Sequence, residues 1–341
     1  MKLFKISLKI LLCSIIIIFN ARCGIKREAL GADNEIRVIC SEIDKDKIQK
    51  YLSKIFTDTI YTPEPEPYYN LKFSPPESYN QLKAQSQIVI ASIDRNPNNK
   101  GYRLMKKILP DEKLNFTENV DPIILAKDLY AKKQLFMIIN VKDEETLISD
   151  INKKKNYIRR QFHQQFIDRQ TRYLFGDDRN KNLEDSLYNT FGWSLKIPWG
   201  WELIKILPDS NFVWIGKEMP FQWIGISWKE GYHFKDEISA GEYIWKWPEQ
   251  NYGHIQFNDY KFELKQSSNN SFKSWRAKGV WESIEIKEAK GGPFCSYLFY
   301  DEESNNSYHI NFLIHHPGED KSIFIRQLDL IAKSFDIKRD L

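Results

Sequence analysis

Tryptophan is confined to one part of this chain, and its distribution divides the sequence into two. All ten tryptophans lie between Trp193 and Trp281, and the segment before Gly176 contains none. At the boundary, Gly176 to Asp185 is polar and charged and shows no apolar periodicity, which is typical of a linker. The chain has 341 residues, and a size of about 150 residues per domain favours two domains. We place them at residues 35–176 and 190–336.

Three apolar runs in the first half predict buried strands: Glu35 to Ser41, Gln87 to Ile93 and Gln134 to Val141. They are rich in branched residues and apolar at successive positions, as strands covered on both faces of a sheet are. Ile48 and Leu52 recur at helical spacing between the first two runs, and Asp143 begins a longer helical pattern that continues to about Phe175. Strands alternating with helices predict an α/β-type domain or an α+β sandwich with a long helix.

Five prolines fall between Tyr61 and Pro76. Proline lacks a backbone N–H and fixes φ, so it interrupts helices and central strands. The run TPEPEPYY, from Thr62 to Tyr69, therefore predicts an extended surface loop.

The second half changes to short alternating segments, which are typical of antiparallel strands. The predicted strands are Trp193 to Ile206, Asn211 to Lys217, Trp223 to Lys229, Asp259 to Lys265, Ser271 to Lys287, Phe294 to Tyr300 and Tyr308 to His315. Helices are predicted at Glu237 to Trp247 and Ser322 to Phe335. The predicted fold class is α+β: a tryptophan-rich, twisted antiparallel sheet with helices packed on one face.

The tryptophans have two interpretations. In the run NFVWIG, Phe212 and Trp214 share one face of a strand while the other face is also apolar, so most of these rings are expected in the core. Exposed aromatic rings, in contrast, stack on sugars or serve protein interfaces. The candidates for such a binding surface lie beside Gly200 and Pro248 in predicted turns, and they are Trp199, Trp201, Trp245 and Trp247.

The amino terminus resembles an export signal. Lys2, Lys5 and Lys9 precede an apolar core from Ile10 to Phe19, which is shorter than the roughly 20 apolar residues of a membrane-spanning helix. Cys23 follows at the position of the acylated cysteine of bacterial lipoproteins, although Arg22 before it departs from that pattern. Residues 1–22 are the predicted signal, residues 23–34 the tether and Cys23 the lipidation site. A signal cut elsewhere, or retained as a weak anchor, is the alternative.

Sequence motifs for catalysis and metal binding are absent. The sequence contains no HExxH, CxxC, GxSxG or phosphate-binding glycine loop, so we predict no catalytic residue, no cofactor and no metal. Cys295, within GGPFCSY, is the best single candidate for a nucleophile, and a thiol packed in the sheet is the alternative. After processing, Cys40 and Cys295 remain, either as independent thiols or as one disulfide.

Charge gives little indication of a partner. The net charge is +4, with 50 basic and 46 acidic residues, so no nucleic acid is predicted to bind. A basic run in the long helix could contact anionic headgroups or acidic partners, and a solvated helix face is the alternative. Its members are Lys153, Lys154, Lys155, Arg159 and Arg160.

Several segments resemble a known family. GWSLKIPWGWELIK, NFVWIGKE, KGGPFCSYLFYDEE and IRQLDLIAKSF are similar to an uncharacterised family of predicted lipoproteins from Bacteroidetes, a domain of unknown function. EIRVIC, QIVIASID and QLFMIINVKDEE follow that family's order. The resemblance implies a lipid-anchored envelope protein and assigns no functional residues. WSLKIPWGWELI, opening a sheet that ends in a helix, also resembles the PsbP and Mog1 type of fold, whose members mostly bind partners.

Together these features predict a lipid-anchored cell-envelope protein that binds or assembles with another envelope protein or a glycan, and that contacts the membrane through acyl chains on Cys23. The alternative is a hydrolase that acts on envelope glycans or peptides through dispersed carboxylates. Two acidic side chains facing each other across a deep cleft would favour the hydrolase. A shallow aromatic groove with no titratable pair would favour the binding module.

Overall fold

The computed structural model describes residues 26–62, 64–115, 121–269, 272–285 and 290–339. The predicted signal and the predicted lipidation site Cys23 lie outside these residues. The chain forms two compact units that interleave along the sequence. Of the described residues, unit one contains those before Asp33, Arg37–Lys45 and Lys72–Glu144, and unit two contains Asp33–Ile36, Asp46–Leu71 and those from Glu145 onward. The domain bounds 35–176 and 190–336 stay a prediction.

Helices and strands are numbered in chain order. The helices are α1 (Glu42–Ile55), α2 (Tyr79–Leu82), α3 (Lys100–Ile108), α4 (Asp111–Leu114), α5 (Glu144–Leu174), α6 (Lys181–Phe191), α7 (Glu237–Asn251) and α8 (Ser322–Ala332). The strands are β1 (Glu35–Ile39), β2 (Thr59–Tyr61), β3 (Pro65–Pro67), β4 (Asn70–Ser74), β5 (Gln87–Ser92), β6 (Ile123–Lys127), β7 (Leu135–Asn140), β8 (Trp193–Ser194), β9 (Glu202–Leu207), β10 (Phe212–Lys217), β11 (Phe221–Glu230), β12 (Ile255–Asn269), β13 (Phe272–Ser283), β14 (Gly291–Asp301), β15 (Asn306–His315) and β16 (Asp336–Ile337).

Unit one is built on a five-stranded sheet with the order β4-β1-β5-β7-β6. Strands β1, β5 and β7 pair in parallel, and β6 pairs antiparallel with β7. Every residue of β5 and β7 is buried, which confirms the prediction of strands covered on both faces. Leu104 and Met105 of α3 pack with Ile88, Ile90 and Phe136 in the core.

Unit two is built on a seven-stranded sheet with the order β12-β13-β14-β15-β11-β10-β9. Neighbouring strands of this sheet pair antiparallel, which confirms the predicted α+β class with its antiparallel sheet. Successive side chains point to opposite faces of a strand, so Phe212 packs in one core while Val213 and Ile215 pack in another.

Helices cover both faces of this sheet. Ala240 and Ile244 of α7 pack in the core that contains Phe212, and Leu328 and Ile331 of α8 pack in the opposite core. The prediction that helices pack on one face was wrong. Strands that are apolar on both sides need a covering layer on each side.

Helix α5 is 31 residues long and confirms the predicted long helix. Its buried stripe includes Leu147, Ile158, Phe162 and Phe166, whereas Tyr173 near its end is 72% exposed. Within the described residues, no helix has the length and apolar content to cross a membrane.

The proline-rich segment is more ordered than predicted. Its strands β2 and β3 form an antiparallel hairpin in which Thr59 lies opposite Pro67, so the expectation of an extended loop was wrong here. Proline is tolerated in such a short ribbon because few backbone donors are needed. Glu66 fixes the hairpin to the start of α8: its carboxylate accepts from the Lys321 backbone N–H at 2.6 Å and lies 2.9 Å from Lys321 Nζ.

Candidate functional site

The four candidate tryptophans do not form one surface. Trp199 is 77% exposed and Trp245 is 39% exposed, but Trp201 and Trp247 are buried. The predicted exposure of Trp247 was wrong because Pro248 lies inside α7 and does not end it, so Trp247 shares the buried stripe of Ile244. Its indole Nε1 donates to Ser227 Oγ at 2.7 Å.

Trp201 packs in the core beneath α8, because the turn at Gly200, with φ of 76°, returns the chain to the sheet. Its predicted exposure was also wrong. A binding role for Trp199 and Trp245 stays a prediction.

The two cysteines of the described chain are free and buried. The Nε of Arg276 donates to the Sγ of Cys295 at 3.4 Å. Burial raises the pKa of the Cys295 thiol above its ordinary value, although Arg276 opposes that shift. A thiol protonated at neutral pH is a poor nucleophile.

Two histidines of the large sheet contact neutral polar groups. His309 is fully buried and its Nε2 lies 2.9 Å from Ser296 Oγ. Burial lowers the pKa of His309 to about 3. His315 contacts the backbone of Gly291 through Nδ1 at 2.9 Å. In the described ranges, no three His, Cys, Asp or Glu side chains are close enough to share a metal ion.

The candidate site is a cavity of about 700 Å³ within unit two, which we call the basic cavity. Four segments supply its lining: the region of the β2–β3 hairpin, α5, the strands β13 to β15, and α8. Its polar and charged lining residues are Thr57, Asp58, Thr59, Tyr61, Tyr68, Arg159, Arg160, His163, Arg276, Lys278, Cys295, Arg326, Asp329 and Lys333.

Positive charge dominates this lining. Six lysines and arginines face two aspartates, a formal excess of four positive charges. The whole chain has the same excess of +4 over 341 residues. The nearly equal numbers of basic and acidic residues in the sequence therefore do not reveal that cations are concentrated around one cavity.

Arg326 is the most buried of these cations, with an exposure of 5%. Its guanidinium lies over the ring of Phe166, with the Cζ atom 3.3 Å from the ring centroid. Its Nη1 donates to the backbone oxygen of Tyr68 at 3.1 Å, and its Nη2 donates to the hydroxyl of Tyr69 at 2.9 Å. These contacts fix the plane of the guanidinium.

None of these contacts neutralises the charge of Arg326. Among the residues that the structure describes, no carboxylate lies within ion-pair distance of it, and its Nε has no hydrogen-bond acceptor. Its Nη2 also lies 3.5 Å from His163 Nδ1. Burial and the positive charges of Arg326 and Lys333 lower the pKa of His163 below its ordinary value. The cavity thus keeps an unbalanced guanidinium beside a neutral imidazole.

Asp329 is the buried acid of the cavity, and cations engage it. The hydroxyl of Tyr297 donates to Asp329 Oδ1 at 2.6 Å, Lys333 Nζ lies 2.7 Å from Oδ2, and Arg276 lies 3.5 Å from Oδ1. Burial alone would raise the pKa of Asp329, but Lys333 and Arg276 hold it below its ordinary value. Asp329 is therefore an ionised counterion, not an acid ready to donate a proton.

Only some residues of the basic run on the long helix line the cavity. Arg159 and Arg160 line the cavity, and Arg159 lies 3.6 Å from Asp58. Lys153 and Lys155 are exposed and do not line it.

Sequence reasoning missed Arg276, Arg326 and Lys333. One signal was available in α8 and its C-cap residue Lys333, since Arg326, Asp329 and Lys333 recur at i, i+3 and i+7, the spacing of one helix face. When a helix carries a charged stripe as well as an apolar stripe, the pattern indicates that both faces contact other groups.

Comparison with known families and structures gives the following matches. Residues 29–175 match the model of a domain of unknown function, DUF8532, and residues 180–334 match that of another, DUF4837. A search of curated proteins finds no match.

Among solved structures, the Ran-binding protein Mog1p of Saccharomyces cerevisiae aligns with a TM-score of 0.31 and 10% identity over 43% of this chain and 90% of that one. LpqN, involved in cell envelope biogenesis of Mycobacterium tuberculosis, aligns with a TM-score of 0.28 and 12% identity over 43% of this chain and 83% of that one. Both halves of the chain thus match domains of unknown function, which supports its resemblance to an uncharacterised family.

Proposed function

We propose that this protein is a non-catalytic binding module whose ligand occupies the basic cavity, and that acyl chains on Cys23 tether it to the cell envelope. The observation that carries the proposal is the cavity itself. Its volume of about 700 Å³ falls within the roughly 300–1,000 Å³ of ligand pockets. Its lining combines apolar side chains with charged groups, and contacts hold Arg326 and Asp329 in fixed positions.

The groups that could perform catalysis in the cavity are already engaged. Cys295 is buried with a raised pKa, Asp329 is held as a carboxylate by Lys333 and Arg276, and Asp58 lies beside Arg159. These contacts favour binding over the alternative, hydrolysis by two dispersed carboxylates.

A ligand that remains bound during purification provides the test. The native protein and a variant with a filled cavity, Ile167→Trp, would be purified in parallel, and small molecules released by denaturation would be compared by mass spectrometry. We expect a compound that the native protein carries and the variant lacks. Equal recovery from both proteins would contradict the proposal. Cleavage of added envelope glycan or peptide that Asp329→Asn abolishes would favour the hydrolase.

The anchor is a separate part of the proposal, supported by the apolar segment that precedes Cys23. The native protein from cells grown with an alkyne fatty acid should carry the alkyne label. Cys23→Ala should not, and a labelled variant would refute this attachment site. Each buried methylene contributes about 0.8 kcal/mol, so several acyl chains hold a protein stably. An envelope protein or glycan as a further partner, at Trp199 and Trp245, is likewise a proposal.

A further inference from the structure

We infer that the ligand of the basic cavity carries a phosphate-type group with two negative charges, attached to an apolar or uncharged organic part. This inference rests on the proposed binding function and names its ligand class. Two cations of the lining lack a carboxylate partner within the described chain, namely Arg160 and Arg326. By comparison, Arg159 lies beside Asp58, Lys278 lies 2.6 Å from Glu263, and Arg276 and Lys333 contact Asp329.

A buried guanidinium without a counterion is costly to a fold. Moving an ion out of water costs several kcal/mol even after the protein relaxes, and apolar replacements of buried charges are often neutral or stabilising. Arg326 is 5% exposed, and its aromatic and neutral hydrogen-bonding partners orient the charge without cancelling it. A residue that costs stability and is held in one orientation is suited to a ligand that supplies the missing charge.

The chemistry of the guanidinium selects among anions. Arginine presents a planar fork of N–H donors that matches the oxygens of phosphate and carboxylate. The two cations without a carboxylate partner, Arg160 and Arg326, together carry two positive charges. A phosphate monoester near neutral pH carries a charge of about −1.5 to −2, so one phosphate group has enough negative charge to balance both cations.

The rest of the cavity indicates the rest of the ligand. Apolar side chains share the lining with the cations, and they are Phe166, Ile167, Phe312, Ile325 and Leu330. An inorganic anion would not fill about 700 Å³. The phosphate is therefore expected on an organic molecule, either a soluble phosphate ester or the exposed headgroup of a lipid with a terminal phosphate.

The test uses full-length purified protein and measures binding by calorimetry at fixed ionic strength. The soluble probes are phenyl phosphate, inorganic phosphate and succinate, and the lipid probe is phosphatidylcholine vesicles with or without phosphatidic acid. Arg160→Gln is the main variant, because Arg160 is exposed and its loss leaves the core intact. Lys155→Gln is the matched control, since it removes one exposed charge from the same helix outside the cavity.

Phenyl phosphate should bind more tightly than inorganic phosphate or succinate. A hydrogen bond to a charged group contributes enough for Arg160→Gln to weaken binding about tenfold or more, while Lys155→Gln should change it less than about twofold. Arg326→Met should abolish binding and leave a folded chain, checked by circular dichroism. If the protein binds phosphatidic acid vesicles and Arg160→Gln weakens that binding to the same extent, the phosphate belongs to a lipid headgroup. If only phenyl phosphate binds, the natural ligand is a soluble phosphate ester.

Equal binding by the native protein and both charge variants would overturn the inference, and so would the absence of binding to every phosphate probe. Tighter binding of succinate would overturn the phosphate class but leave the binding function intact. Release of phenol from phenyl phosphate would instead overturn the non-catalytic function and leave the phosphate class standing.

Discussion

The two faces of the seven-stranded sheet bury polar groups in opposite ways. Along β14, Ser296 and Leu298 belong to the face covered by α7, and Cys295 and Tyr297 belong to the face covered by α8. The α7 face holds a network of neutral polar groups, whereas the α8 face holds ionised groups around a cavity.

On the α7 face, each polar group lies among neutral partners. Tyr252 donates to Asn311 at 3.0 Å, Asn311 donates to Ser296 at 3.0 Å, and Ser296 lies 2.9 Å from His309. Such networks specify packing without the cost of a buried charge. On the α8 face, Arg326 retains a charge with no carboxylate partner in the described residues. Under the proposed binding function, a ligand would supply the negative charge that the α8 face lacks, whereas the α7 face needs none.

The largest effect is expected from Trp247 on the α7 face. Replacing this buried indole by alanine, Trp247→Ala, should lower the free energy of unfolding by about 3–5 kcal/mol, measured by urea denaturation. Trp245→Ala on the same helix is the matched control, and its partly exposed ring should cost about 1 kcal/mol or less. Equal losses would show that the α7 face is not the packed core described above.

Acid should destabilise the protein through His309. The unfolded state takes up a proton near pH 6.5, but burial holds the pKa of His309 near about 3 in the folded state. The unfolded state therefore binds more protons as pH falls, and stability should decrease by about 1.4 kcal/mol per pH unit, or about 2 kcal/mol by pH 5. His309→Asn should flatten this acid limb of the stability curve. His254→Asn, at an exposed site, should leave it in place.

Arg326→Met tests the opposite face. Because the guanidinium is buried without a counterion, its replacement should leave the ligand-free protein equally stable, or more stable by about 1 kcal/mol. Thermal and urea unfolding at low ionic strength would measure this. A loss of more than about 2 kcal/mol would contradict the comparison, since Arg326 would then be a structural residue like those on the α7 face.

The smallest effect is expected from Trp199→Ala. The ring is 77% exposed, so its removal should change stability by no more than about 0.5 kcal/mol. A larger loss in the same urea experiment would show that Trp199 packs against a part of the protein that its exposure does not reveal.

Local patterns predicted much of the fold. Successive branched residues identified β5 and β7, and helical periodicity identified α5. The covering of both sheet faces was implicit in the run from Phe212 to Ile215, although we expected helices on one face alone. Trp201 and Trp247 were misjudged because a nearby glycine or proline suggested a turn surface, whereas a turn can return a ring to the core.

The cavity could not be predicted in the same way. Its charges come from segments as far apart as Asp58 and Lys333, and no fixed spacing joins them. Only the tertiary structure brings Phe166 beneath Arg326 and leaves that guanidinium without a carboxylate. The net charge of the chain gave no indication of this arrangement.

The direct test of an anion site beside Arg326 is the pKa of His163, measured by NMR of the histidine rings across a pH titration with and without phenyl phosphate. Burial, Arg326 and Lys333 lower this pKa in the free protein, while Asp329 and Asp58 oppose that shift. An anion bound beside Arg326 offsets the two cations, so the pKa of His163 should rise on binding. If phenyl phosphate binds and the pKa of His163 does not change, the anion lies elsewhere and the basic cavity is not its site.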